Sequence, residues 1–242
     1  MRVEPFGVDS YIHVVKRGAR GLPITRDDLD RQRFVRLLYY LNDGHRSDFW
    51  EEGIRKKELF ERPKSWPQRQ PLVRILAWTL MDNHFHLLLK EIQEGGVSRF
   101  MQSLCGSMSR HFNEKYEEQG SIFQGAYRSR TIETDRYLRW VVPYILVKNV
   151  FELFPGGYAE ALRNFDHAWT WATRYEFSAL KDFVAHMQKP TSLTCGFLPC
   201  HSPILDLDVL DGYFKSSQHL KEQSRDMIFG RQGINIEEVT FE

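Results

Sequence analysis

The sequence predicts an α+β fold: an antiparallel sheet sandwiched with helices, followed by a mostly helical extension. Three observations predict it. Strand-like and helix-like segments alternate in the order strand, helix, strand, strand, helix, strand, helix through the first 155 residues. Pro155-Gly156-Gly157 then breaks the chain, and the remaining residues read as helices joined by loops. Hydrophobic content of 42% and aromatic content of 14% in 242 residues are enough for one sizeable core.

Tyr11 to Gly18 (Tyr-Ile-His-Val-Val-Lys-Arg-Gly) reads as the first strand, ended by Gly18. Thr25-Arg26-Asp27-Asp28 has the character of a helix N-cap with acidic first-turn residues. Phe34, Leu37, Leu38 and Leu41 then recur at helical spacing, and Asn42-Asp43-Gly44 stops the helix. Residues 45–70 are charged and aromatic, with Pro63 and Pro67, and read as an insertion with one short helix. Strands are expected at about 72–80 and 84–90. Gly95-Gly96 breaks the chain, and Val97 to Leu104 then opens a helix to about Tyr116, with Phe100, Leu104, Met108 and Phe112 at steps of four. Residues 121–132 form a loop and a strand. Glu133-Thr134-Asp135 starts a helix to about Asn149, which Pro143 should kink. In the extension, helices are expected at 158–166, 176–187 and 206–228. This order describes a ferredoxin-like sandwich, with residues 1–155 as one domain and 156–242 as the extension.

Composition narrows the function classes. No apolar run approaches the ~20 residues of a membrane helix, and Met1-Arg2-Val3-Glu4-Pro5 does not open a signal peptide. Three cysteines argue against a disulfide framework and for a reducing, cytoplasmic setting. Cys195, Cys200 and His201 lie close together without the spacing of a common zinc site. The net charge of +1 is not that of a strongly basic nucleic-acid binder. Residues 1–74, however, hold 16 Lys/Arg against 11 Asp/Glu, so any positive face is local.

The richest segment is Ala77-Trp78-Thr79-Leu80-Met81-Asp82-Asn83-His84-Phe85-His86-Leu87-Leu88-Leu89-Lys90. On a strand, His84 and His86 point to the same side and can share one cation. A bare His-x-His is weak evidence in a chain with nine histidines. Its flanks are more specific. Met-x-Asn-His-φ-His-Leu-Leu-Leu resembles the His-hydrophobic-His (HUH) signature of single-tyrosine transposases of the REP-associated, insertion-sequence type. Asp82 stands where that family commonly has proline. Further stretches carry the resemblance in order: Tyr-x-His-Val-x-x-Arg-Gly at residues 11–18, Gly95 to Gln102, Phe123-Gln124-Gly125, and Pro143-Tyr144-Ile145. Together they cover about residues 10–155.

The resemblance implies cleavage and strand transfer on single-stranded or hairpin DNA through a 5′-phosphotyrosine link. It implies Tyr144 as nucleophile and Mg²⁺ or Mn²⁺ on His84 and His86. Four residues after the tyrosine the family carries an amide side chain as third ligand, and this chain has Lys148 there. A charged lysine cannot ligate a cation, but it could contact the scissile phosphate. Asn149 lies one residue later, and an unbroken α-helix would turn it away from the site. Arg17, Arg128 and Arg130 are phosphate-contact candidates. Trp50, Trp66 and Tyr127 could stack on unpaired bases, although core packing is the commoner use of such residues. A homodimer is one assembly open to the chain. Two other functions compete: a domesticated DNA-binding protein with weak or lost catalysis, favoured by Lys148 and the near-neutral charge, and an unrelated metallohydrolase, for which Asp82 is the only nearby carboxylate.

Overall fold

Four strands form one antiparallel sheet in the computed structural model, which describes residues 6–45, 50–54, 60–188 and 202–230. The strands are β1 (Tyr11–Arg17), β2 (Val73–Leu80), β3 (His84–Glu91) and β4 (Arg128–Ile132), in spatial order β2-β3-β1-β4. That order is the ferredoxin-like arrangement expected from the sequence. β1 and β3 are the central pair and are buried on both faces, which explains their nearly continuous apolar character.

One face of the sheet carries Phe85, Leu87 and Leu89, packed against α1 (Asp28–Tyr40) and α3 (Gly96–Tyr116); Phe34 of α1 meets Phe85 at 5.0 Å between ring centres. Asp27, rather than Thr25, caps α1: its side chain accepts from the Asp30 backbone N–H at 3.0 Å, while Thr25 is buried. Between them, α2 (Trp50–Ile54) is the short helix of the insertion. Trp50 and Trp66 line a cavity of ≈ 400 Å³ with Tyr40, His45 and α3 residues. It lies beside the α1–α3 layer, against the face opposite the histidines.

The other face is covered by the helix that begins at α4 (Asp135–Pro143), capped by Thr134. It does not continue as a plain α-helix. Tyr144–Lys148 form one π-turn before α5 (Asn149–Glu152) resumes. Pro143 has no N–H to donate back to the preceding turn, and the π-turn begins immediately after it.

The extension contains α6 (Gly157–Arg163), α7 (Phe165–Ala172), α8 (Leu180–Met187) and α9 (Ser217–Ile228). Several expectations change here. The helix expected at 158–166 ends at Arg163, the one expected at 176–187 starts at Leu180, and residues 165–172 form a separate helix, because Phe165, Ala168, Trp169 and Ala172 present one buried stripe. The last helix starts at 217 instead of 206: Ser216 caps it by accepting from His219 N–H, and residues 208–210 make only a short 3₁₀ turn. The extension also closes the outer edge of β2. Leu80 N–H donates to Phe177 C=O (3.0 Å), Ala179 N–H to Trp78 C=O (2.9 Å) and Asp206 N–H to Ile75 C=O (2.9 Å). An exposed strand edge invites pairing with other chains, and these bonds remove it. No described helix is long and apolar enough to cross a membrane. Cys195, Cys200 and His201 lie outside the described residues.

Candidate active site

β3 directs His84 and His86 to the face beneath the π-turn, and both are buried. The ladder fixes their neighbours, because residues directly opposite in register share a face. Arg17 stands opposite His84, Val15 opposite His86, and Thr79 opposite His86 on the other side. Arg130 stands opposite His13, and Arg128 opposite Val15. The three arginines singled out from the sequence therefore occupy the histidine face; Arg17 and Arg128 are exposed and Arg130 is half-buried.

Tyr144 reaches the same place from above. Its ring centre is 5.7 Å from that of His86 and 5.9 Å from that of His13, and it stacks on Trp140 at 5.0 Å. It is 1% exposed. Lys148 Nζ sits 4.9 Å from the Tyr144 ring centre and pairs with Glu152 at 2.5 Å. The π-turn corrects the expected aim of Asn149. A π-turn closes i→i−5 bonds, and Asn149 N–H donates to Tyr144 C=O. The extra residue puts position i+5 one turn above Tyr144, where an α-helix would put i+4. Asn149 is fully buried, and neither atom of its side-chain amide has a hydrogen-bond partner among the described residues. Nε2 of His86 is in the same condition.

Three residues that sequence reasoning did not place adjoin the histidines and the tyrosine turn. Asn83 Oδ1 lies 2.7 Å from His84 Nδ1. An amide oxygen only accepts, so Nδ1 of His84 is the donor in this contact. The Asn83 backbone C=O accepts from Gly18 N–H (2.7 Å) and its side-chain amide donates to Gly21 C=O (3.1 Å), which locks the β2–β3 turn to the end of β1. His13 Nε2 lies 3.0 Å from His86 Nδ1. Thr79 donates its hydroxyl to Ile145 C=O at 2.5 Å. The signal for His13 is its two-residue spacing from Val15 on a strand adjacent to β3.

The electrostatics favour neutral imidazoles surrounded by cations. Burial, followed by the charge of Arg130, lowers the His13 pKa to about 3. Burial, followed by His13, His84, Lys148 and Arg17, pushes His86 well below the ordinary histidine value. Neutral imidazole is the metal-binding form. The neutral His86 imidazole, the neighbouring His84 and a buried, unsatisfied amide are donor types that fit a divalent cation. Elsewhere, His186, Asp208 and Asp211 bring ligand atoms within 4.8 Å of one another, but both carboxylates are exposed and His186 already bonds Asp211 at 2.6 Å.

A histidine pair on a central strand thus faces a tyrosine on the covering helix. Residues 46–147 match the model of the family described as transposase IS200 like. A solved structure of a REP-associated tyrosine transposase bound to a REP hairpin is also similar, at 14% identity over 85% of this chain and 98% of that one, with a TM-score of 0.44. No curated protein sequence matches the chain.

Proposed function

We propose that this transposase-family chain cleaves and rejoins single-stranded DNA at the ends of a hairpin, with Tyr144 as nucleophile. The observation that supports the reading is the π-turn: Tyr144 lies against His86 and His13, with Lys148 beside its ring, and the same turn shifts the helical phase of Asn149. The phenol oxygen of Tyr144 attacks a backbone phosphorus and gives up its proton to solvent. The P–O3′ bond breaks, leaving a 3′-hydroxyl and a 5′-phosphotyrosine. A second 3′-hydroxyl reverses the step and transfers the strand. A tyrosine of ordinary pKa near 10 is a weak nucleophile. Lys148, on the Tyr144 ring and held by Glu152, supplies positive charge where charge builds on the phosphate. Arg17, Arg128 and Arg130 line the path of the backbone. His84, His86 and Asn149 would hold Mg²⁺ or Mn²⁺, which when bound polarises the phosphate oxygens. Residues 1–155 form the catalytic domain, and residues 156–242 support it at the β2 edge.

One observation favours a second reading, DNA binding with weak or lost catalysis: Tyr144 is 1% exposed, so its hydroxyl must be uncovered before it meets a phosphate. One experiment separates the two. The protein is incubated with labelled hairpin DNA carrying single-stranded flanks, with Mg²⁺ or Mn²⁺, and run on a denaturing gel. A covalent adduct that disappears in Tyr144→Phe and His84→Ala supports cleavage. Binding without an adduct supports the second reading and overturns the first.

A further inference from the structure

Both candidate ligand histidines are held at the same ring nitrogen. Asn83 Oδ1 meets His84 at Nδ1, and His13 Nε2 meets His86 at Nδ1. The second contact crosses strands. His13 sits on β1 two residues from Val15, the partner of His86, and is therefore its diagonal neighbour on the same face. It is fully buried, with its ring 5.2 Å from that of His86 and inclined by 23°. Nε2 of His86 is buried without a partner among the described residues.

A hydrogen bond between two neutral imidazoles has one donor and one acceptor, and its direction decides which nitrogen of His86 keeps a lone pair. If His86 donates from Nδ1, Nε2 is available as a ligand. In the reverse direction Nε2 carries a proton and cannot ligate. The polarity already set at His84 by Asn83 is the first of these.

We propose that His13 is a positioning residue: its Nε2 accepts the Nδ1 proton of His86, fixing the tautomer and ring orientation in which His86 Nε2 is the ligand atom. The cation itself rests on the reading under Proposed function; the tautomer does not. Such supporting partners are worth roughly 10–100-fold in metal affinity. His13→Phe keeps an aromatic ring and removes the acceptor. His13→Gln keeps an acceptor oxygen at similar reach.

The test begins with metal-free, ¹⁵N-histidine-labelled protein and long-range ¹H–¹⁵N correlation of the His86 ring. The wild type should show Nδ1 protonated, His13→Gln should keep that state, and His13→Phe should shift protonation toward Nε2. Mn²⁺ titration by calorimetry should then show a loss of roughly 10–100-fold in His13→Phe and recovery to within a few-fold in His13→Gln. A wild-type His86 protonated at Nε2 overturns the proposal without any variant, so misfolding of His13→Phe leaves it decidable. Wild-type Mn²⁺ affinity in folded His13→Phe overturns it as well. Equal Mn²⁺ binding in wild type and His86→Ala would instead defeat the metal reading, and the metal-free spectrum would still decide the role of His13.

Discussion

The Thr79 hydroxyl donates to the Ile145 carbonyl at 2.5 Å. Thr79 is the register partner of His86, and Ile145 is the next residue after Tyr144. One buried bond thus ties β2, the strand paired with the histidine strand, to the tyrosine turn. Thr79→Val preserves shape and leaves that carbonyl without its donor. Chemical denaturation should register a loss of about 1–3 kcal/mol, and DNA cleavage should fall further than stability alone explains.

Asn149 makes the opposite trade. A buried amide without partners costs free energy, so Asn149→Leu should raise the stability of the metal-free protein by about 1 kcal/mol. The same variant should weaken Mn²⁺ binding at least tenfold. Thermal melts with and without Mn²⁺ measure both effects; wild-type affinity in Asn149→Leu would remove Asn149 from the ligand set.

Arg128 is exposed on the histidine face, in register with Val15. Arg128→Gln should weaken binding of hairpin DNA about equally across sequences. It should also lower the slope of log affinity against log salt by about 1. An unchanged slope would place the DNA elsewhere.

Acid sensitivity should come from the opposite face of the sheet. Burial pushes the Asp30 carboxyl up, but hydrogen bonds from Lys115, the Arg26 backbone N–H and Tyr116 outweigh it and hold the pKa at about 2. The group is depressed on folding, so its contribution is complete above the ordinary aspartate value near 4 and disappears as pH falls toward 2. Melting temperature should drop through that window in the wild type. Asp30→Asn should start lower and be flatter there.

Gly18 tests the turn that carries the motif. A Cβ at this position would stand 2.1 Å from the Leu22 backbone oxygen, so backbone must move. Gly18→Ala should cost at least about 2 kcal/mol in denaturation and disturb the bond from Gly18 N–H to Asn83 C=O.

The sheet and its helices are legible in the sequence because alternation in β1 to β4 and the apolar stripes of α1 and α3 obey simple periods. His84, His86 and Tyr144 are legible through their flanking motifs. Uniform helical spacing does not give the phase of Asn149, because a π-turn changes the count from four residues to five. His13, Thr79 and Asn83 act across strands or through a turn, and spacing along the chain does not reveal which residues lie beside β3. The start of α9 is misplaced by periodicity because apolar residues at 207–214 pack as a loop and 3₁₀ turn, with Ser216 setting the true boundary.

The bonds from Phe177, Ala179 and Asp206 to the β2 edge carry a consequence for synthesis. While the chain emerges from the ribosome, all four strands and the tyrosine turn are made before the segments that shield β2. A nascent chain stopped near residue 155 would hold His84, His86 and Tyr144 and an open, apolar strand edge. The edge is fully covered only once Asp206 has left the exit tunnel, so a premature stop before Asp206 would leave β2 open to pairing with other chains.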